Sequence, residues 1–254
     1  MSTTQKFIPV WKDEYTIHYF QVDVRSNATL VVLCQFMQES AWNHAEHLGL
    51  GFSHLSKMDF IWILSRQLLK IYSYPKWGDV IQVQTWPTGK DKLFCYRDFR
   101  ILGSAGSTIG EATTTWFVID LTSRKPQRTD SYFHVDLPND VVRVFPGKLN
   151  RLNPVSPTDH TRMIQVTYGD LDINEHVNNV RYIDWILNTL PFDHLKTHIL
   201  AEFEINYLSE SSYNDEILIG YVENKKSEFY HSLVRNRDNT DLCRARTVWQ
   251  SQRK

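Results

Sequence analysis

Leu33, Phe36, Met37, Ser40, Ala41, His44, Ala45 and Leu48 recur at the i, i+3, i+4, i+7 spacing of one helix face. They predict a helix over 30–49, with Gly49 and Gly51 as its stop. Ahead of it, 1–12 is expected to be a loose arm and 14–24 a first strand. After it the period falls to two. Stretches 60–65 and 68–74 predict one long strand with a polar interruption, followed by a turn at 75–79. In 80–86, Ile81, Val83 and Thr85 share one face of a strand. A Gly- and Lys-rich turn at 87–92 leads to strands at 93–102 and 112–121.

The pattern then breaks. Pro126, Pro138, Pro146, Pro154 and Pro157 interrupt 124–159, which reads as a long connection with a short strand near 141–145. Beyond it the first pattern returns. A strand is expected at 162–168 and a helix at 180–190, carried by Val180, Ile183, Ile186, Leu187 and Leu190 and ended by Pro191. Tyr182 and Trp185 add apolar bulk on its other sides, so it should be buried nearly all round. Strands at 201–208, 217–221, 229–235 and 243–250 follow, with a turn at 209–214.

Two signatures show that this return is a repeat. Trp77-Gly78-Asp79-Val80-Ile81 matches Tyr213-Asn214-Asp215-Glu216-Ile217, and Ala112-x-Thr114-x-Trp116 matches Ala245-x-Thr247-x-Trp249. From Asp79 to Ala112 is 33 residues, and from Asp215 to Ala245 is 30. So long a period means a duplicated domain rather than a solenoid. Each half is then one helix wrapped by about five antiparallel strands. The expected fold is α+β, a tandem duplicated hotdog with two long central helices. Its first unit covers 1–125, the connection 126–160 and the second unit 161–254.

Composition narrows the function. At 254 residues, 42% hydrophobic and 22% charged, the chain can bury a substantial core. A net charge of -1 argues against nucleic acid as a bulk electrostatic partner. No apolar run approaches a membrane span, and the N-terminus lacks a signal-peptide core. Cys34, Cys95 and Cys243 are odd in number and widely spaced. They suggest core thiols in a reducing, cytoplasmic setting and no zinc site. His44 and His47 lack ligand partners at metal spacing, and no phosphate loop or dinucleotide fingerprint occurs.

The densest polar stretch is Asp170-Leu171-Asp172-Ile173-Asn174-Glu175-His176-Val177-Asn178-Asn179, at the entry to the second helix. Such groups are costly there unless they have work to do. Asn178 and Asn179 could serve chemistry or cap the helix, and Asp170 could cap or make a turn. In the first half Asp23, Arg25 and Asn27 stand where Asp172, Asn174 and His176 stand in the second. The amide and imidazole are therefore not demanded by the fold.

This stretch, with Val180-Arg181-Tyr182-Ile183, resembles the signature of the acyl-ACP thioesterases. Gln38-Glu39-Ser40-Ala41, Tyr74-Pro75-Lys76-Trp77-Gly78-Asp79, Thr85-Trp86 and Arg97-Asp98-Phe99 extend the resemblance to nearly the whole chain. It implies hydrolysis of a fatty acyl thioester on the phosphopantetheine arm of acyl carrier protein, with no cofactor. It also implies four catalytic positions: Asp172, Asn174, His176 and, beyond the next strand, Glu210. A thioester carbonyl needs an activated water and a stabilised oxyanion. Glu210 or Asp172 could be the base, Asn174 can donate, and His176 can do either near neutral pH. Ser211 follows Glu210 where many plant members have a cysteine, so water is preferred to a thiol nucleophile. Phe36, Met37, Ala41, Trp62 and Leu64 could line an acyl pocket, although packing would select the same residues. Arg66, Lys70, Lys76, Arg97, Arg124 and Lys125 could meet an acidic carrier or be a solvated face. An acyl-CoA thioesterase and a silent acyl-binding module are the alternatives. Either a monomer or a homodimer is compatible with a duplicated chain.

Overall fold

The computed structural model describes residues 8–135, 142–156 and 160–252. The chain forms two compact units, Met1–Ser65 with Tyr72–Lys148, and Arg66–Ile71 with Leu149–Lys254. The first unit holds β1 (Trp11–Thr16), α1 (Leu30–His47), α2 (Phe52–Leu55), the first half of β2 (Phe60–Ile71), β3 (Val80–Lys90), β4 (Cys95–Leu102) and β5 (Thr108–Asp120). The second holds β6 (Thr161–Gln165), α3 (Asn179–Leu187), α4 (Phe192–Thr197), β7 (His198–Tyr207), β8 (Glu216–Lys225), β9 (Glu228–Arg235) and β10 (Thr240–Ser251). Strand order is β1-β3-β4-β5-β2 in the first and β6-β8-β9-β10-β7 in the second, read in the same sense. Each strand has its counterpart in the same place, so the duplication inferred from two short signatures extends to the whole topology. The last six residues of β2 count with the second unit, where 66–70 pair antiparallel with β7. Nothing in the repeat announces that exchange.

Side-chain burial follows the predicted faces. In α1, Leu33, Met37, Ser40, Ala41 and His44 are buried, while Gln35, Gln38 and Glu39 face solvent. Thr29 caps this helix by accepting from Val32 N–H at 3.3 Å, and Gly49 leaves it at φ 70°. Ile81, Val83 and Thr85 of β3 are buried, as are Ile217, Ile219 and Tyr221 of β8.

Several expectations need correction. The first strand is Trp11–Thr16, and a 3-10 turn, Tyr19–Gln21, occupies what was expected to be its end. Strand β3 does not stop at Trp86 but runs through Pro87 to Lys90. A register shift between Pro87 and Gly89 absorbs the proline's missing N–H. The second central helix is short. α3 ends at Leu187 with Asn188 as C-cap, and Pro191 opens α4 rather than closing α3. Pro191 disfavours helical backbone at the residue before it, so the apolar pattern through Leu190 could not stay one helix. Only α1, with 18 residues, is the long helix expected of both units. Within 142–145 there is no strand, and Val141 lies outside the described residues.

The proline-rich connection is held down at both ends. Tyr132 and Phe133 are buried with Leu50, Leu55, Cys95 and Val118 of the first unit. Further on, Arg66 donates to the Leu149 carbonyl at 2.8 Å, and Leu152 N–H donates to Asn206 Oδ1 at 2.6 Å. Among the described residues no helix is long and apolar enough to cross a membrane.

Candidate active site

The loop before α3 is built by one carboxylate. Asp172 N–H donates to the His176 carbonyl at 2.8 Å, and Glu175 turns the chain at φ 62°. Asp172 Oδ1 accepts from Asn174 N–H at 2.8 Å and from His176 N–H at 3.4 Å. This is the local side-chain-to-backbone bonding that favours Asp in turns. The same loop then docks on the segment between β7 and β8. His176 forms a β-bridge with Ser212, and Val177 N–H donates to the Ser211 carbonyl at 3.0 Å. That docking brings Glu210 beside His176. Glu210 Oε2 lies 3.5 Å from His176 Nε2, with the side chains 33% and 31% exposed. The pair is reachable from solvent while its backbone is fixed.

The neighbouring polar residues do structural work. Asp170 is buried, accepts from Thr167 N–H and Oγ1, and pairs with Arg181 Nε at 2.7 Å. Burial alone would raise its pKa, but the Thr167 and Arg181 contacts outweigh it and hold the carboxyl below its ordinary value. Asn178 caps α3 by accepting from Val180 N–H at 3.2 Å, and the Asn179 carbonyl accepts from Tyr207 Oη at 3.1 Å. Ser211 is buried with its hydroxyl 2.6 Å from Tyr182 Oη, which occupies it away from any nucleophilic role. Burial pushes the Tyr182 phenol up.

The first unit carries the same loop without the chemistry. Asp23 N–H donates to the Asn27 carbonyl at 2.8 Å, and Ser26 turns at φ 60°. Asp23 Oδ1 accepts from Arg25 N–H at 2.8 Å and Asn27 N–H at 3.1 Å. Ala28 N–H donates to the Pro75 carbonyl, and Asn27 bridges to Lys76. Bond for bond this matches the second unit, with Tyr74 in the place of Glu210. Asn174, His176 and Glu210 are thus replaced by Arg25, Asn27 and Tyr74, while the Asp stays. A carboxylate that persists where the imidazole is gone is first of all a loop former. The sequence comparison missed the Tyr74–Glu210 correspondence. The Trp77-Gly78-Asp79 match to Tyr213-Asn214-Asp215, carried three residues upstream, would have revealed it.

The expected acyl-lining residues sit within the first unit. Met37, Ala41 and Leu64 are buried. Phe36 stacks on Tyr15 with centroids 4.2 Å apart, and Trp62 donates its indole N–H to the Leu50 carbonyl at 2.7 Å. Arg97 is turned inward and donates to His44 Nδ1 and Thr85 Oγ1 rather than facing a partner. The three cysteines are buried and carry no disulfide, and burial pushes the Cys95 thiol up to about 11. Among the described residues no group of three His, Cys, Asp or Glu side chains could hold a metal ion.

Comparison with known proteins bears on the whole chain. Residues 9–134 match the family model of the acyl-ACP thioesterase N-terminal domain, and 156–251 match that of the C-terminal domain. The chloroplastic oleoyl-acyl carrier protein thioesterase of Coriandrum sativum is 31% identical over 225 residues, covering 82% of this chain and 61% of that one. The oleoyl-acyl carrier protein thioesterase 1 of Arabidopsis thaliana is 27% identical over 275 residues, covering 94% and 76%. Among solved structures, an acyl-ACP thioesterase from Bacteroides thetaiotaomicron superposes with a TM-score of 0.80 at 28% identity, covering 95% of this chain and 98% of that one.

Proposed function

The chain belongs to the acyl-ACP thioesterase family, and on that premise we propose that it releases fatty acids from acyl carrier protein by chemistry centred on Glu210 and His176 of its second unit. It is a thioester hydrolase, and its place is at the chain-release step of fatty acid synthesis. Glu210 takes a proton from a water molecule, and the resulting hydroxide adds to the thioester carbonyl carbon. The oxyanion is met by the Asn174 amide or by the Asn179 N–H at the start of α3. As the carbonyl reforms, the C–S bond breaks. The carrier thiolate leaves and takes back the proton held by Glu210, with His176 relaying it. Asp172 acts through the loop it closes, holding the backbone of Asn174 and His176 in register. One chain carries the full set, so turnover needs no second copy.

The observation that carries this reading is the 3.5 Å approach of His176 Nε2 to Glu210 Oε2 on a loop whose twin in the first unit has lost both groups. Glu210→Gln keeps size and removes the base. Its kcat on acyl-acyl carrier protein should drop by about 10²–10⁴-fold. Activity near that of the unaltered enzyme would refute the assignment. A ladder of acyl chain lengths in the same assay ranks the preferred substrate. We further place the enzyme in the cytoplasm, where three buried cysteines without a disulfide are expected, and cell fractionation tests that.

A further inference from the structure

Glu210 is gripped through its backbone by a guanidinium. Arg235, the last residue of β9, donates through Nη1 to the Glu210 carbonyl at 3.1 Å. The same Nη1 lies 3.6 Å from Asp215 Oδ2. The other two nitrogens are taken up by the hairpin beyond. Nε donates to Asp238 Oδ1 at 3.1 Å, and Nη2 donates to Asp238 Oδ2 at 2.9 Å and to Thr240 Oγ1 at 3.3 Å. A planar fork engaged at all three nitrogens has one orientation, so whatever it holds is held firmly.

What it holds is the turn that carries the base. Asp215 closes that turn by accepting from Ser212 N–H at 2.9 Å through Oδ2. Ser212 is the β-bridge partner of His176. Arg235 therefore touches residue 210 at one end of the turn and residue 215 at the other, and between them the turn meets His176.

The two carboxylates do not explain this arginine. Asp215 Oδ1 is already paired with Arg237 Nη1 at 3.0 Å, and Asp238 is exposed to water. The first unit closes the same turn without it. Asp79 Oδ2 accepts from Lys76 N–H at 2.8 Å, as Asp215 does from Ser212. Gln82 pairs with Leu102 on β4 as Leu218 pairs with Val234 on β9, so the residues that follow, Gly103 and Arg235, correspond. A glycine has no side chain to send back to the turn. The guanidinium thus stands only in the unit whose turn carries a carboxylate at its head, although the turn forms in both. What it adds is a fixed Glu210 backbone. A general base displaced by about 1 Å loses about 10²-fold in rate, so that fixing matters to chemistry more than to folding.

Starting from Glu210 as the base, we propose that Arg235 is a positioning residue for hydrolysis, its Nη1 anchoring the Glu210 carbonyl so that the carboxylate stays beside His176. The test is a double-mutant cycle on the full chain with acyl-acyl carrier protein as substrate. Arg235→Ala should lower kcat about 30-fold and leave KM within about threefold, because the base is misplaced while the substrate contacts remain. In a Glu210→Gln background the same change should cost less than about twofold, since no base is left to aim. Millimolar guanidinium chloride should enter the vacated slot and restore kcat of Arg235→Ala about fivefold, whereas sodium chloride at equal ionic strength should not. Arg235→Lys keeps a cation beside Asp215 and Asp238 without the fork, so it should hold its urea midpoint and still lose kcat about tenfold. A kcat within about twofold of the unaltered enzyme in both Arg235 variants overturns the anchor. So does a loss of equal size with and without Glu210, which is what a merely weakened fold gives. Full activity in Glu210→Gln overturns the base itself, and that single variant tells the two failures apart.

Discussion

His231→Phe tests the interior of the second unit quantitatively. His231 stands on β9 opposite Ala245 and is 1% exposed. Its first-unit counterpart, opposite Ala112, is the buried Phe99. The imidazole shares a hydrogen bond of 3.0 Å with Thr247 Oγ1 through Nε2, while Nδ1 has no partner among the described residues. Burial pushes its pKa from 6.5 down to about 3. The folded state therefore holds a neutral ring where the unfolded chain takes up a proton. Stability contributed by the neutral ring is complete above pH 6.5 and is lost as the pH falls toward 3. At about 1.4 kcal/mol per pKa unit, the loss is about 1 kcal/mol at pH 6, about 2 at pH 5 and about 3 at pH 4. Phenylalanine escapes this loss. At pH 7 the variant gives up one hydrogen bond and removes one unpartnered nitrogen, so it should fall within about 1 kcal/mol of the unaltered protein. Urea unfolding at pH 7, 6, 5 and 4 should show the variant gaining on the unaltered protein by about 3 kcal/mol across the series. His44, pushed down to about 3 in the same way, is present in both and cancels. A difference that stays constant between pH 7 and pH 4 would refute the buried neutral imidazole.

Other outcomes separate loop-building from chemistry. Asp172→Ala should lower kcat on acyl-acyl carrier protein by about 10²-fold or more, whereas Asp23→Ala, which breaks the twin loop, should cost about 1 kcal/mol of stability in urea unfolding and leave kcat within about twofold. Equal losses of kcat would contradict the silence of the first-unit loop. Ser211→Ala removes a hydroxyl already bonded to Tyr182 and should keep kcat within about threefold in steady-state assays; a complete loss would revive serine as nucleophile. Thr29→Ala removes the α1 cap and should lower stability by about 1 kcal/mol with KM unchanged, read from thermal melts and acyl-chain assays side by side.

Much of this was legible in the residues. The spacing of Leu33, Met37, Ala41 and His44 determined α1 and its buried face, because a helix repeats every 3.6 residues whatever it packs on. The alternation of Ile81, Val83 and Thr85 determined the inner face of β3 in the same way. The repeated Trp77/Tyr213 and Ala112/Ala245 signatures determined the duplication, and the family resemblance singled out Asp172, Asn174, His176 and Glu210. Tertiary structure decided what these groups do to one another. His176 and Glu210 meet because a β-bridge to Ser212 ties two distant segments together, and periodicity carries no information about which segments pair. Asp172 became a loop builder only when its Oδ1 was seen accepting the same two N–H groups as Asp23. The break before Pro191 arises in the same way. Local patterns report which face is buried, and hydrogen-bond partners and voids depend on which surfaces the fold brings together.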